Sequence, residues 1–378
     1  MKMRLEWKTE AIARGQDRAF GAALRQLTSA ALVSHNIYCE ERYTSADGHC
    51  LAFLRGTSEA LSSAELWVCN LLTGEVARVS TSIQGFPTSN MFRDTLFYVR
   101  TTGNSRVLTR LNLATFEQDD VFDMTGCPFT RYHMGTISPD ERHYVGRMRV
   151  SGNVWGLYRC DLERGTWEPF HEHVDICNPH PQFEPSCGHD ILVQLNQGSE
   201  IDEEENIIRL VGTEGATLYV IDRDGGNYRP LPVGIKHDMM GGVTGHECWV
   251  GATQQIVLTA GDYANNAVYI VGPNDTKARC LWRGVRFNHI SASVDGKYFV
   301  TDDWANGWLY VGNIQTGRML PLCDSGSSMG APQYTHPHAY MTPGNRHVVF
   351  NSDRTGLAQV WLCELPSGFL EILDHSRE

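Results

Sequence analysis

The run Gln333-Tyr334-Thr335-His336-Pro337-His338 sets two imidazoles two residues apart, with a carboxamide three residues before the first. Residues two apart on a strand face the same side, so His336 and His338 can converge on one ion while Gln333, at the start of the strand, offers its amide oxygen. His289, from the preceding repeat unit, completes a mixed nitrogen and oxygen set. Such a set suits a divalent first-row ion such as manganese. Calcium takes oxygens, and a structural zinc usually takes thiolates. Histidine is also the usual general base near neutral pH, so the pattern points to a metal, an acid-base site, or both.

The elements that must position these groups are short strands in a repeat. An apolar or aromatic pair, expected to end a short strand, recurs as Leu66-Trp67, Leu157-Tyr158, Leu218-Tyr219, Val268-Tyr269, Leu309-Tyr310 and Val360-Trp361, with a weaker copy at Leu108-Thr109. The spacing averages about 49 residues, in the range of a four-stranded propeller blade. Polar turns follow most pairs (Thr73-Gly74, Asp224-Gly225, Thr316-Gly317, Ser367-Gly368), and others precede them (Asp47-Gly48, Pro139-Asp140, Asp295-Gly296, Pro343-Gly344). Glycine supplies the positive φ that tight hairpins need. Helical periodicity is absent apart from a weak trace between Thr9 and Leu27, so the sequence predicts an all-β, seven-bladed propeller. It is expected to occupy residues 1–378 as a single domain, with 1–30 as a lead-in. The segment Leu24 to Thr28 or the tail Phe369 to Leu373 is expected to close the ring.

Within this frame the histidines are in phase. Six positions before each turn aspartate, or the residue in its place, stand His180, His246, His289 and His338 in the last four units; the first three carry Glu41, Phe86 and Met134, the last beside His133. That phase falls on the innermost strand of a blade. One histidine alone reads most simply as a satisfied structural group. Four at one radial position read as a channel lined with imidazoles.

Composition narrows the function classes. The chain is 42% hydrophobic and 20% charged, ample for a packed core, and its net charge of -12 with no basic run excludes a nucleic-acid or anionic-membrane surface. An acidic sugar would need a local positive site. Met1 to Gly15 lacks the apolar segment of a secretory signal and no stretch approaches spanning length, so a cytoplasmic location is expected. The 11 cysteines include no Cys-x-x-Cys pair and read as free buried thiols.

The stretch from Thr335-His336-Pro337-His338 to Gly344-Asn345, with Val348-Val349-Phe350-Asn351-Ser352-Asp353 after it, resembles the last blade of the oligogalacturonate lyases, intracellular pectin-degrading propellers. Gly245-His246-Glu247-Cys248-Trp249, Asn288-His289, Asn178-Pro179-His180-Pro181 and Ser34-His35-Asn36-Ile37-Tyr38 are similar too. The resemblance implies a metal-assisted β-elimination on short uronate oligosaccharides. It implies a manganese-like ion on His289, Gln333, His336 and His338, with His246 as the base and His35 and His180 facing the substrate. The chemistry agrees: elimination removes the C5 proton beside a uronate carboxylate, so the site must neutralise that carboxylate and place a base at the carbon. For His246 the simpler alternative is an imidazole merely hydrogen-bonded to Glu247.

The fourth blade departs from that family. Where the family carries a His-Glu-Gly element and then an arginine that looks like a carboxylate binder, this chain has Asn196-Gln197-Gly198 and Thr217. Arg209, in the acidic loop from Glu200 to Gly215, and Arg131 are candidate replacements, the simpler reading of Arg209 being a solvated loop charge. Substrate choice is therefore open to another uronate-containing glycan, such as a glucuronate-containing or rhamnose-linked one. Two further readings use the same fold: a non-catalytic binding platform resembling TolB-type propellers, and a metal-dependent hydrolase or isomerase. Tyr38 and Tyr334 read as packing or sugar-stacking groups, and neither is assigned as the acid.

Overall fold

The computed structural model describes residues 4–56, 64–130, 133–152, 154–262 and 266–375. Its strands form seven antiparallel units, each built from the centre outward. The repeated apolar pair lies inside the third strand of every unit: Ala64–Asn70, Ser105–Asn112, Val154–Asp161, Ala216–Asp222, Ala267–Val271, Trp308–Asn313 and Gln359–Glu364. It had been expected at a strand end. It sits mid-strand because these strands are covered on both faces by neighbouring blades, so both alternating side chains are buried, Tyr310 only in part. Leu66, Leu108, Leu157, Leu218, Val268, Leu309 and Val360 are all buried, and the apolar clusters run between adjacent blades.

The turns that follow are closed from within. Asn70, Asn112, Asp161 and Asn313 each accept hydrogen bonds from the backbone N–H groups two and three residues on, fixing the hairpin before the fourth strand. Gly74 completes the first of these at φ 76°, where a Cβ would fall 2.4 Å from that of Ala11. Blades one and two share the long strand Glu75–Ser89, the outer edge of one and the inner edge of the other.

The ring is closed from the N-terminal side. Ala23–Gln26 pairs with Gln359–Glu364 as the outer strand of blade seven, and Ile12–Gln16 adds a fifth. The other candidate, the tail, is the short α-helix Phe369–Asp374, with Phe369 and Leu373 packed into the core around Tyr298 and Leu309. The weak helical trace before Leu27 is not a helix. Blade four is distinct: its outer strand shrinks to Arg229–Pro230, and a hairpin of Glu200–Ile201 and Ile207–Arg209 is inserted between its second and third strands. Among the described residues no helix is long and apolar enough to cross a membrane.

Several innermost strands are irregular. Pairing slips between Gln84 and Thr88, between Val243 and Glu247, and between Phe287 and Ile290. Left-handed backbone occurs at Ile37, Gly85, His180, Gly245 and His338. Bulges of this kind re-aim side chains, and here they turn the channel-phase residues toward the axis.

Candidate active site

Three of the in-phase histidines meet. The ring of His289 lies 4.3 Å from that of His246 and 4.4 Å from that of His338, with His336 at 5.2 Å. One nitrogen from each of His289, His336 and His338 falls within 4.8 Å of the others. The geometry that brings His336 and His338 together is not a strand, as had been expected. Pro337 and a φ of 42° at His338 break the extended run, and the next strand is only Tyr340–Met341. Gln333 sits on the 3-10 turn Gln333–Thr335, exposed on the wall of the adjoining cavity that His338 also lines.

The donor set fits a bound cation. Both ring nitrogens of His338 and Nδ1 of His336 are buried with no protein partner, and such orphaned groups are costly unless something binds them. His336 Nε2–H donates to the Gly330 carbonyl at 2.8 Å, leaving Nδ1 as the lone pair. His289 Nδ1–H donates to Asp302 at 2.6 Å, and the same carboxylate accepts the His289 backbone N–H. A carboxylate behind the imidazole is the usual support of a metal-bound histidine. Burial, then the neighbouring imidazoles, holds His289 and His338 well below the ordinary histidine range, which keeps them neutral and able to ligate. The cluster could hold a metal ion.

His246 stands beside the cluster on Val243–Trp249, turned inward by the bulge and by Gly245 at φ 91°. It is neutral for the same reasons, burial first and then His289 and His180. It is not tied to Glu247: both carboxylate oxygens of that residue are buried without a partner, and burial followed by Glu40 pushes the carboxyl up to about 8.

His180 is held differently. Its Nδ1 contacts the Glu40 carboxylate, and Nε2 lies 2.8 Å from the Asn178 amide nitrogen. Burial opposes its charged form, but Glu40 outweighs burial and holds the imidazole above its ordinary value. Tyr38 bridges the two groups, its ring 4.5 Å from His338 and 5.8 Å from His180. His35, on Ser34–His35, shares the cavity with them, and burial lowers it to about 4. His133 is structural: it stacks on Phe129 at 3.8 Å and bonds Tyr144 at 2.8 Å.

The cavity has a volume of about 330 Å³, at the lower end for ligand pockets. Of the two candidate cations, Arg131 lies outside the described residues. Arg209 is half-exposed and turned to its own hairpin, paired with Glu200 at 2.5 Å and bonded to the Gly198 carbonyl at 3.0 Å. The hairpin instead lends the cavity Ile201, Glu205 and Ile207. Among the described residues the arginine that lines the cavity is Arg147, in His143–Ser151, which had no mark in the sequence because the repeat phase singled out only innermost strands. Glu40 and Asp302 escaped notice too, for Glu40 acts behind a histidine 140 positions away and Asp302 behind one on the neighbouring strand.

No family model matches the chain. A curated oligogalacturonide lyase of Pectobacterium atrosepticum is 24% identical over 93% of this chain and 95% of that protein. An oligogalacturonate lyase of Dickeya dadantii is 22% identical, again over 93% of this chain and 95% of its own length. Among solved structures, an oligogalacturonate lyase in complex with manganese matches with a TM-score of 0.73 at 22% identity, over 98% of this chain and 99% of that one. The likeness runs through nearly the whole of each chain, in sequence and in fold, and it supports membership of this protein in the oligogalacturonate lyase family.

Proposed function

We propose that this protein is a metal-assisted carbon-oxygen lyase that cleaves short uronate oligosaccharides by β-elimination, with the whole chain acting as one propeller domain in the cytoplasm. The observation that carries the reading is the set of orphaned nitrogens on His336 and His338, next to His289 and one ring away from a neutral His246. His289, His336 and His338, with Gln333 from the cavity wall, would hold the ion. A divalent ion such as manganese supplies, when bound, positive charge for the uronate carboxylate and so acidity at the adjacent carbon. His246 takes the C5 proton, its neutral form secured by burial. His180, charged through Glu40, and His35 face the substrate from the cavity side. Free thiols fit this setting: among the described residues every cysteine is unpaired.

The test is absorbance at about 235 nm, where a conjugated unsaturated uronide absorbs, after manganese-loaded protein is mixed with digalacturonate and other uronate disaccharides. A rise on digalacturonate supports the reading. Silence on every uronide refutes it, and products carrying an added water would mean a hydrolase. A second reading within the class has its own support. The hairpin wall of Ile201, Ile207 and Leu210 favours a uronate joined to a less polar sugar, and a rise only on such a disaccharide would select it.

A further inference from the structure

The strand that carries His246 sets three residues against one. Pairing holds at Val243 with Ala260 and resumes at Glu247 with Leu258, so Thr244, Gly245 and His246 all stand opposite Thr259. Gly245, at φ 91°, permits the bulge. The Thr244 hydroxyl is thereby brought to three oxygens and one ring nitrogen. Thr259 Oγ1 is the closest, the Thr259 and Asn288 carbonyls lie at 3.3 Å each, and His246 Nδ1 lies at 3.4 Å. The Thr259 hydroxyl donates in turn to the Asn288 carbonyl, across to blade six. The His246 ring also meets that carbonyl, and among the described residues its Nε2 has no hydrogen-bond partner.

A hydroxyl has one proton to give and a carbonyl has none, which fixes the direction of this chain. Thr259 gives its proton to the Asn288 carbonyl. Thr244 then gives its own to Thr259, because two hydroxyl oxygens in such close contact need a proton between them. Toward His246 the Thr244 oxygen is left only as an acceptor. We propose that Thr244 and Thr259 are positioning residues that hold His246 as its Nδ1–H tautomer, which makes Nε2 the nitrogen that takes the substrate proton. The proposal deepens the lyase reading by naming the atom that acts as base, and it rests on that reading for the reaction. As the C5 proton passes to Nε2, the C–H electron pair forms the C4–C5 double bond and the C4 oxygen departs with its own bonding pair. The ring becomes cationic, so Nδ1–H donates more strongly to Thr244 and polarises the chain behind it. The same chain anchors the bulge to the residue before His289, which keeps the base beside the ligand set.

The experiment reads the tautomer directly. Full-length protein with isotope-labelled histidine nitrogens is loaded with zinc, which unlike manganese leaves the signals sharp, and studied by NMR; the His246 ring is assigned by its loss in His246→Ala. Wild-type protein should carry the proton on Nδ1. Thr244→Val, which keeps the shape without the hydroxyl, should shift the ring toward a mixture of tautomers. In the manganese-loaded enzyme it should lower kcat by roughly tenfold, about the worth of one hydrogen bond, with KM and metal content unchanged. Thr244→Ser should restore most of the rate and the tautomer. A wild-type ring protonated on Nε2 overturns the proposal, and so does a Thr244→Val protein with the wild-type tautomer and rate. The wild-type measurement needs no threonine variant, so it decides the matter if valine at this position prevents folding. The lyase reading falls separately: an Nδ1–H ring with no elimination product on any uronide would sink it and leave the tautomer standing.

Discussion

Blades four and seven bring the same backbone to the channel and use it for different chemistry. Asn178-Pro179-His180 and His336-Pro337-His338 align residue for residue, and the histidine that ends each is left-handed, at φ 43° and 42°. In each, the proline carbonyl accepts from the backbone of the next strand, at Gln194 and at Asn351. The difference lies in the first side chain and in what faces the second. Blade seven pairs His338 with His336 and His289 and leaves lone pairs bare. Blade four puts an amide in place of His336 and a carboxylate, Glu40, against His180. One repeat position thus gives a neutral imidazole where imidazoles crowd together and a charged imidazole where a carboxylate meets it.

The largest effect should come from making blade seven resemble blade four. His336→Asn keeps the backbone and removes one of three converging nitrogens; bound manganese, measured after gel filtration, should fall to background and turnover with it. Retained metal would show that His336 is not a ligand. Next is His246→Ala, which leaves both loops intact. Elimination should slow by about a hundredfold to ten-thousandfold, the usual worth of a general base, while metal content stays at the wild-type level. Loss of metal in this variant would move His246 into the ligand set. A smaller loss is expected from Asp302→Asn, which keeps all three imidazoles but weakens the hold on His289. Metal affinity should drop by about ten- to a hundredfold, and an unchanged affinity would make the Asp302 contact merely structural.

The contrast also shows what was legible in the sequence. The propeller was readable because every blade repeats one third strand, packed on both faces, so Leu66 through Val360 begin a recurring pair at an average spacing of about 49 residues, with Leu108-Thr109 as its weakest copy. The convergence of His246, His289 and His338 was readable for the same reason, since phase in a repeat is position in space. Ring closure was ambiguous: Phe369 to Leu373 and Leu24 to Thr28 are both short terminal segments with apolar residues, and only pairing with Gln359–Glu364 separates them. The partners of the histidines were hidden. Glu40 meets His180 from 140 positions away, and Asp302 reaches His289 from the second strand of the same blade. Arg209 had the charge the cavity needs, but the nearby Glu200 decides its direction. Arg147, on a second strand, lay off the phase altogether.

The smallest effect tests the blade-four pair through pH. With Glu40, His180 titrates above its ordinary value, so the folded protein holds a proton there that the unfolded chain releases. That contribution to stability is complete below about pH 6.5, the ordinary histidine value, and disappears as pH rises through the folded value. Burial also raises Glu40, which acts in the same direction. In Glu40→Gln only burial acts strongly on His180, its pKa falls below the ordinary value, and its contribution grows with pH up to about 6.5. The Tm of the variant should therefore lie below wild type at mildly acid pH, and the gap should narrow steadily from about pH 6 to about pH 8. Glu247 and Glu41, which Glu40 helps to push up, titrate lower in the variant and narrow the gap in the same direction, while buried groups away from Glu40 cancel in the difference. A gap that stays constant over that window would mean that Glu40 and His180 meet as a neutral hydrogen bond, and the electrostatic distinction between blades four and seven would then be lost.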